Sequence, residues 1–198
     1  MILSILPKLS VPAVLILSVF VATVLNPSVS CGQEKNESSD ELRLSYEAFD
    51  QHPGSGWRKI ANAGQYREAA RLIDRYQQET KGLVEWQRVN LRFHAGQLYA
   101  VADDKDQALA RFKTALFEQE SPDALVRWNA YVGATIAFLE RDRQKLAEFR
   151  EEIARGPKFQ GVTPNLDVVD RLVACFDEHY SIVYREKYKK CKSQIRDG

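Results

Sequence analysis

The stretch HAGQLYAVADDKDQALARFKTAL, residues 94–116, decides the fold. Its period is helical on both sides of Asp103-Asp104, where two acidic residues interrupt the pattern. Gly96 and Ala108 are small enough for two backbones to approach closely, and Tyr99 and Phe112 supply rings to fill the space against neighbours. The stretch therefore predicts two helices joined by a tight turn. Outward from it, breaks recur at His52-Pro53-Gly54, Ala63-Gly64, Lys81-Gly82, Ser121-Pro122, Arg141-Asp142, Gly156-Pro157 and Thr163-Pro164. The segments between them have helical length. Ser38 with Glu41 predicts a capping box, followed by Leu42, Tyr46 and Phe49 on one face as far as His52. Ser121 and Thr163, each before a proline, predict helix N-caps with proline at the first helical position. No segment sustains an apolar/polar alternation, and the β-branched residues concentrate in the first 30, so the fold class is all-α.

Position by position, the deciding stretch resembles the tetratricopeptide repeat (TPR). Gly96, Tyr99, Ala108, Phe112 and Ala115 stand where that family has Gly, Tyr, Ala, an aromatic and Ala. A second copy runs through Ala63-Gly64-Gln65-Tyr66 to Ile73, with Trp57 in the place of Gly96. A third, more degenerate, runs from Trp128 and Tyr131 through Ala134, Ala137, Asp142, Leu146 and Phe149. Ala69, Ala108 and Leu146 are then equivalent at spacings of 39 and 38 residues, longer than the family's roughly 34. The resemblance covers about residues 55–155. It implies antiparallel helical hairpins stacked as a short TPR-like solenoid, with the segment Asn165 to Lys190 capping the stack. It also implies that the first helix of each pair lines a concave groove, which marks Asn90, Phe93, Gln97, Trp128, Tyr131 and Thr135 as binding residues. That aromatic and amide surface lacks the Lys and Arg residues with which some relatives clamp a peptide's terminal carboxylate.

The N-terminus reads differently. Lys8 is the only charged residue before Glu34, and Leu9 to Leu25 is apolar apart from Ser10, Pro12, Ser18 and Thr23. Asn26-Pro27 ends any helix, and the small Ser28 and Ser30 precede Cys31. A basic start, an apolar centre and a small-residue exit predict a signal peptide over residues 1–30; an uncleaved membrane anchor is the alternative. Ser28-Val29-Ser30-Cys31 resembles the lipobox of bacterial lipoproteins, with Ser28 where that family usually has an aliphatic residue. The resemblance implies lipidation at Cys31, and plain secretion is the competing reading. Residues 31–40 form a polar tether, residues 41–190 the helical domain and residues 191–198 a basic tail.

The whole chain of 198 residues carries a formal charge of +1. Removing residues 1–30 removes Lys8 alone among the charged residues and leaves the remainder formally neutral. A balanced surface cannot neutralise a run of phosphates, which excludes a nucleic-acid partner. Hydrophobic and charged fractions of 44% and 28% are those of a globular chain. Besides Cys31 there are Cys175 and Cys191. On one unbroken helix they would stand about 24 Å apart, far beyond disulfide reach, so the expectation is that they stay unpaired.

His52, His94 and His179 are scattered, and no HExxH, GxSxG or Walker pattern occurs. The reading is therefore not an enzyme, with no cofactor and no metal site, and His94 is read as a structural histidine. The expected function is that of an exported protein, periplasmic or anchored at the outer membrane, that binds another protein or peptide in the cell envelope. The alternative is a structural subunit of an envelope complex without an exchangeable groove. A cell-wall hydrolase comes third.

Overall fold

The computed structural model describes residues 40–184. The signal segment, Cys31, the tether up to residue 39 and the basic tail lie outside the described residues. The described part is all-helical: α1 (Gly56–Asn62), α2 (Tyr66–Glu79), α3 (Glu85–Val101), α4 (Lys105–Lys113), α5 (Trp128–Glu140), α6 (Arg143–Ala154), α7 (Leu166–Ala174) and α8 (Tyr180–Tyr184) follow a single π-helical turn at Glu47–Gln51. No strand is found among the described residues, where Phe159 and Val162 make one isolated bridge.

One turn recurs three times. Gly64, Asp103 and Arg141 are left-handed, with φ of 84°, 61° and 63°. Each donates its N–H three residues back, to Ala61, Ala100 and Phe138. The next residues, Gln65, Asp104 and Asp142, donate five residues back, to Ile60, Tyr99 and Ala137. This is the Schellman pairing, which satisfies the last carbonyls of one helix. Asp104 and Asp142 then accept the N–H of Gln107 and Lys145, so one residue closes one helix and caps the next. The three turns repeat the 39- and 38-residue spacing expected from the sequence, and Ala69, Ala108 and Leu146 are all buried.

Consecutive helices pack on one another. α2 lies against α1 and α3, α4 against α3 and α5, and α6 against α5 and α7. The small residues allow the approach: a Cβ on Gly96 would stand 2.9 Å from the Phe112 ring, and one on Gly133 would stand 2.5 Å from the Phe149 ring. In the second of these pairs the close contact falls at Gly133, one residue before Ala134, the position taken from the sequence as equivalent to Gly96. The turn keeps its register while α5 contributes its smallest residue a step earlier. Beyond this local order, α8 returns to pack on α3, and α7 packs on α5. Phe138 meets both Phe176 and Tyr180, and Tyr180 stacks on Tyr184.

Three expectations are corrected. Ser38 lies outside the described residues, but residues 40–51 do not form one helix. The chain turns after Glu41, whose carboxylate receives the N–H of Gly56 at 2.6 Å. Pro122 does not open a helix either: residues 114–127 are a loop and α5 starts at Trp128. There the Glu120 carboxylate takes the amide N–H groups of Trp128 and Asn129, while Asn129 pairs with both backbone groups of Phe117. α7 likewise begins after Asn165 and not at Pro164. Finally, Cys175 is disulfide-bonded. Its partner lies outside the described residues; α7 stops at Ala174, so the single straight helix that argued against bonding does not exist.

The hairpin geometry gives a direct test. Leucine at fully buried Ala108 should cost about 1–3 kcal/mol by overpacking. Leucine at exposed Gln107, the neighbouring residue on the same helix, should change stability by no more than about 0.5 kcal/mol. Urea denaturation midpoints of the two variants measured together decide it. Arg111 would be the wrong control, although its position suggests a water-facing side chain. Its guanidinium forks onto Asp74 of α2 at 2.8 and 2.9 Å. Tyr99 donates to the same carboxylate, so Arg111 ties three helices together.

Candidate functional site

The π-turn carries Asp50 to a position with no solvent exposure. A wider turn adds one residue to the helical circuit, which sends both Phe49 and Asp50 inward. Phe49 is satisfied by stacking on Tyr76 at 3.7 Å between centroids. Asp50 is an ion, and burial of an ion is costly unless every lone pair is used. Its Oδ1 receives the Trp57 indole N–H at 2.8 Å and pairs with His94 Nδ1 at 2.7 Å. Its Oδ2 receives Tyr46 Oη at 3.2 Å, Asn90 Nδ2 at 3.1 Å and the Gln51 amide. Arg58 Nε adds a bond to the Asp50 main-chain carbonyl at 2.6 Å. Three segments, the π-turn, α1 and α3, thus converge on one carboxylate.

The electrostatics follow. Burial works to raise the Asp50 carboxyl, but the hydrogen bond and charge of His94, the Trp57 indole and the Arg58 guanidinium outweigh it and hold the group below the ordinary aspartate range. Asp50 is therefore a carboxylate at neutral pH and can only accept. The His94 proton facing it must reside on Nδ1, and Nε2 is left for other work. Burial pushes the Tyr46 hydroxyl up to about 12, with the Asp50 charge acting in the same direction. Tyr46 stays a neutral donor.

His94 lies on one wall of a cavity of about 380 Å³ between α1, α3 and α8. Trp57, Arg58, Asn62, Gln97 and Tyr184 line it as well. The Arg58 guanidinium rests 4.2 Å above the Trp57 ring, and His94 tilts against the other side of the network at 5.2 Å from the same indole. Its volume is within the range of small-ligand sites. Among the described residues no hydroxyl or thiol is hydrogen-bonded to His94 Nε2, and no cluster of three metal-ligating side chains gathers.

The six residues expected to line a groove divide differently. Phe93, Gln97, Tyr131 and Thr135 are buried, and Asn90 and Trp128 partly so. Phe93 is enclosed by Phe112, Trp128 and Tyr131, all at 5.0–5.3 Å between centroids. Trp128 donates to the Ala115 carbonyl at 2.7 Å, and Thr135 to the Tyr131 carbonyl at 3.1 Å. Asn90 belongs to the Asp50 network, and Gln97 to the cavity wall. Burial also raises the Tyr131, Tyr180 and Tyr184 hydroxyls, which lie close to one another. Asp50, Trp57 and Arg58 were missed as site residues. The signal that could have found them is the acid in Tyr46-Glu47-Ala48-Phe49-Asp50: it falls four residues after Tyr46, on the face that the aromatic residues assign to the core. Compared with protein families, with curated proteins and with solved structures, the chain matches none.

Proposed function

We propose that this chain is an exported, helical-repeat interaction protein of the cell envelope, built as a short TPR-like stack, which binds another protein through its outer surfaces. Of the two binding modes drawn from the sequence, the structural subunit without an exchangeable groove is the better supported. One observation carries this choice: the face offered by α3 and α5, which would have to stay open for an extended peptide, is packed by the chain's own α7 and α8. Apolar side chains remain exposed elsewhere, among them Val84 and Trp86, two residues apart at the start of α3 and 48% and 52% accessible. An exposed tryptophan beside an exposed aliphatic residue is the composition of an interface centre.

Two measurements test it. A photocrosslinking side chain placed at Trp86 should capture one defined envelope protein, whereas the same group at Gln97 should give no adduct. Capture from Gln97 alone would restore the open groove and reject the subunit reading. Export is tested at Cys31. If an acyl anchor holds the protein, Cys31→Ser should move the processed chain from the membrane fraction to the soluble one, because each buried methylene contributes about 0.8 kcal/mol to anchoring. An unchanged distribution of correctly processed variant would reject lipidation.

A further inference from the structure

The cavity between α1, α3 and α8 carries polar edges that face no partner among the described residues. Arg58 is the first. Its Nε is committed to the Asp50 carbonyl and its plane lies on Trp57, which fixes the orientation of the whole guanidinium. Neither Nη atom has a hydrogen-bond partner among the described residues. An oriented guanidinium edge with two free donors matches a carboxylate in a bidentate fork. His94 is the second. Its Nδ1–H is fixed on buried Asp50, so the ring cannot turn away, and Nε2 has no partner of its own. A bound anion would meet the Nε2 edge of this ring, with the Asp50 carboxylate fixed behind it on Nδ1. Gln97 lines the same cavity: it is 5% exposed, and its amide faces the Tyr180 and Tyr184 hydroxyls.

The walls set the rest of the ligand. Trp57, Tyr184 and the aliphatic part of Leu98 surround the polar groups, and the volume of about 380 Å³ admits a single small molecule. We infer that this cavity binds a small organic acid, with the carboxylate held between Arg58 and His94 and a flat or apolar body against the aromatic wall. Asp50 is a positioning residue here. It touches no ligand and acts by aiming His94 and, through its main-chain carbonyl, Arg58. The inference concerns a surface separate from the one proposed for a protein partner, so either can fail without the other.

Benzoate is a suitable probe, with benzamide as its uncharged counterpart of the same shape. Titrated into the folded protein and followed through the Trp57 indole N–H resonance, benzoate should give a saturable shift. Benzamide should bind at least tenfold more weakly, which corresponds to about 1.4 kcal/mol. Arg58→Met should lower the benzoate affinity at least tenfold in the fraction that stays folded, with some loss of melting temperature because Arg58 also bonds the Asp50 carbonyl. Should that variant unfold, Arg58→Lys carries the same test, because it keeps stem and charge and loses only the fork; a severalfold weakening is expected. No saturable shift at millimolar benzoate, equal affinity for benzamide, or unchanged affinity in the arginine variants would each overturn the assignment.

Discussion

Asp50→Ala should destabilise the folded protein by about 3–5 kcal/mol at neutral pH, the range found when one member of a buried, paired set of charges is removed. The substitution leaves the buried Trp57 indole and the His94 Nδ1–H without their acceptor and Asn90 with Tyr46 alone. It also disconnects the π-turn from α1 and α3 at once, since the carboxylate is the point where their side chains meet. The pH dependence has a definite sign. The folded-state value of Asp50 is depressed, so its contribution is fully present above the ordinary aspartate value of about 3.9 and is lost as the pH falls through the lower folded value. The gap in unfolding free energy between wild type and Asp50→Ala should therefore be widest near neutrality and shrink below about pH 4. Urea unfolding at a series of pH values measures it. A gap that stays constant into the acid range would show that Asp50 is not held as the carboxylate described above.

The second large effect is expected at Gly56. Its φ of +56° is unfavourable for any residue with a side chain, and an added Cβ would stand 2.0 Å from the Phe49 carbonyl oxygen. That oxygen belongs to the main chain of the π-turn, so no rotamer change can relieve the contact. Gly64→Ala supplies the internal control: its φ is +84°, but nothing lies within 4 Å of the added carbon. The control should lose only the conformational penalty, about 1–2 kcal/mol. Gly56→Ala should lose this and about 1–3 kcal/mol more from overpacking. Side-by-side denaturation midpoints give the answer, and equal shifts in the two variants would mean that α1 does not sit as closely on the π-turn as the coordinates place it.

Much of the fold was legible because it is written in local pattern. The apolar period, the small residues at Gly96 and Ala108 and the breaks at Gly64, Asp103 and Asp142 are all consequences of single helices and single turns. They gave the helical class and the 39- and 38-residue spacing. What failed was whatever depended on partners distant in sequence. Ser121-Pro122 carries good capping chemistry, yet Glu120 and Asn129 hold the loop in another shape. Arg111 lies on what a helical wheel assigns to water, and Asp74 from another helix claims it. Asp50 is the clearest case: its spacing from Tyr46 puts it on the core side, but an acid is not read as buried until its distant donors Trp57, Asn90 and His94 are seen. The candidate site was legible only in part for the same reason. His94 was seen and read as a hydrogen-bonded structural residue, which describes its Nδ1 but not its Nε2. Asp50 and Arg58, 44 and 36 positions away, could not be joined to it without coordinates.

The return of α8 onto α3 has a consequence for the order of events as the chain folds. Nearly every other helix contact joins neighbours in sequence, and such contacts close short loops that form quickly. The α3–α8 contact joins residues about 80 positions apart, as does the nearby pair of His179 with Asp103, separated by 76. Closing a loop of that size costs entropy that only the finished hairpins can offset. The first hairpins can therefore assemble while the later helices are still being delivered, but the face of α3 stays uncovered until Tyr180 and Tyr184 arrive. A chain paused at that stage presents Gln97, Leu98 and Tyr131 to solvent, which is the species a holding chaperone would recognise. Truncation just before Tyr180 should freeze it there.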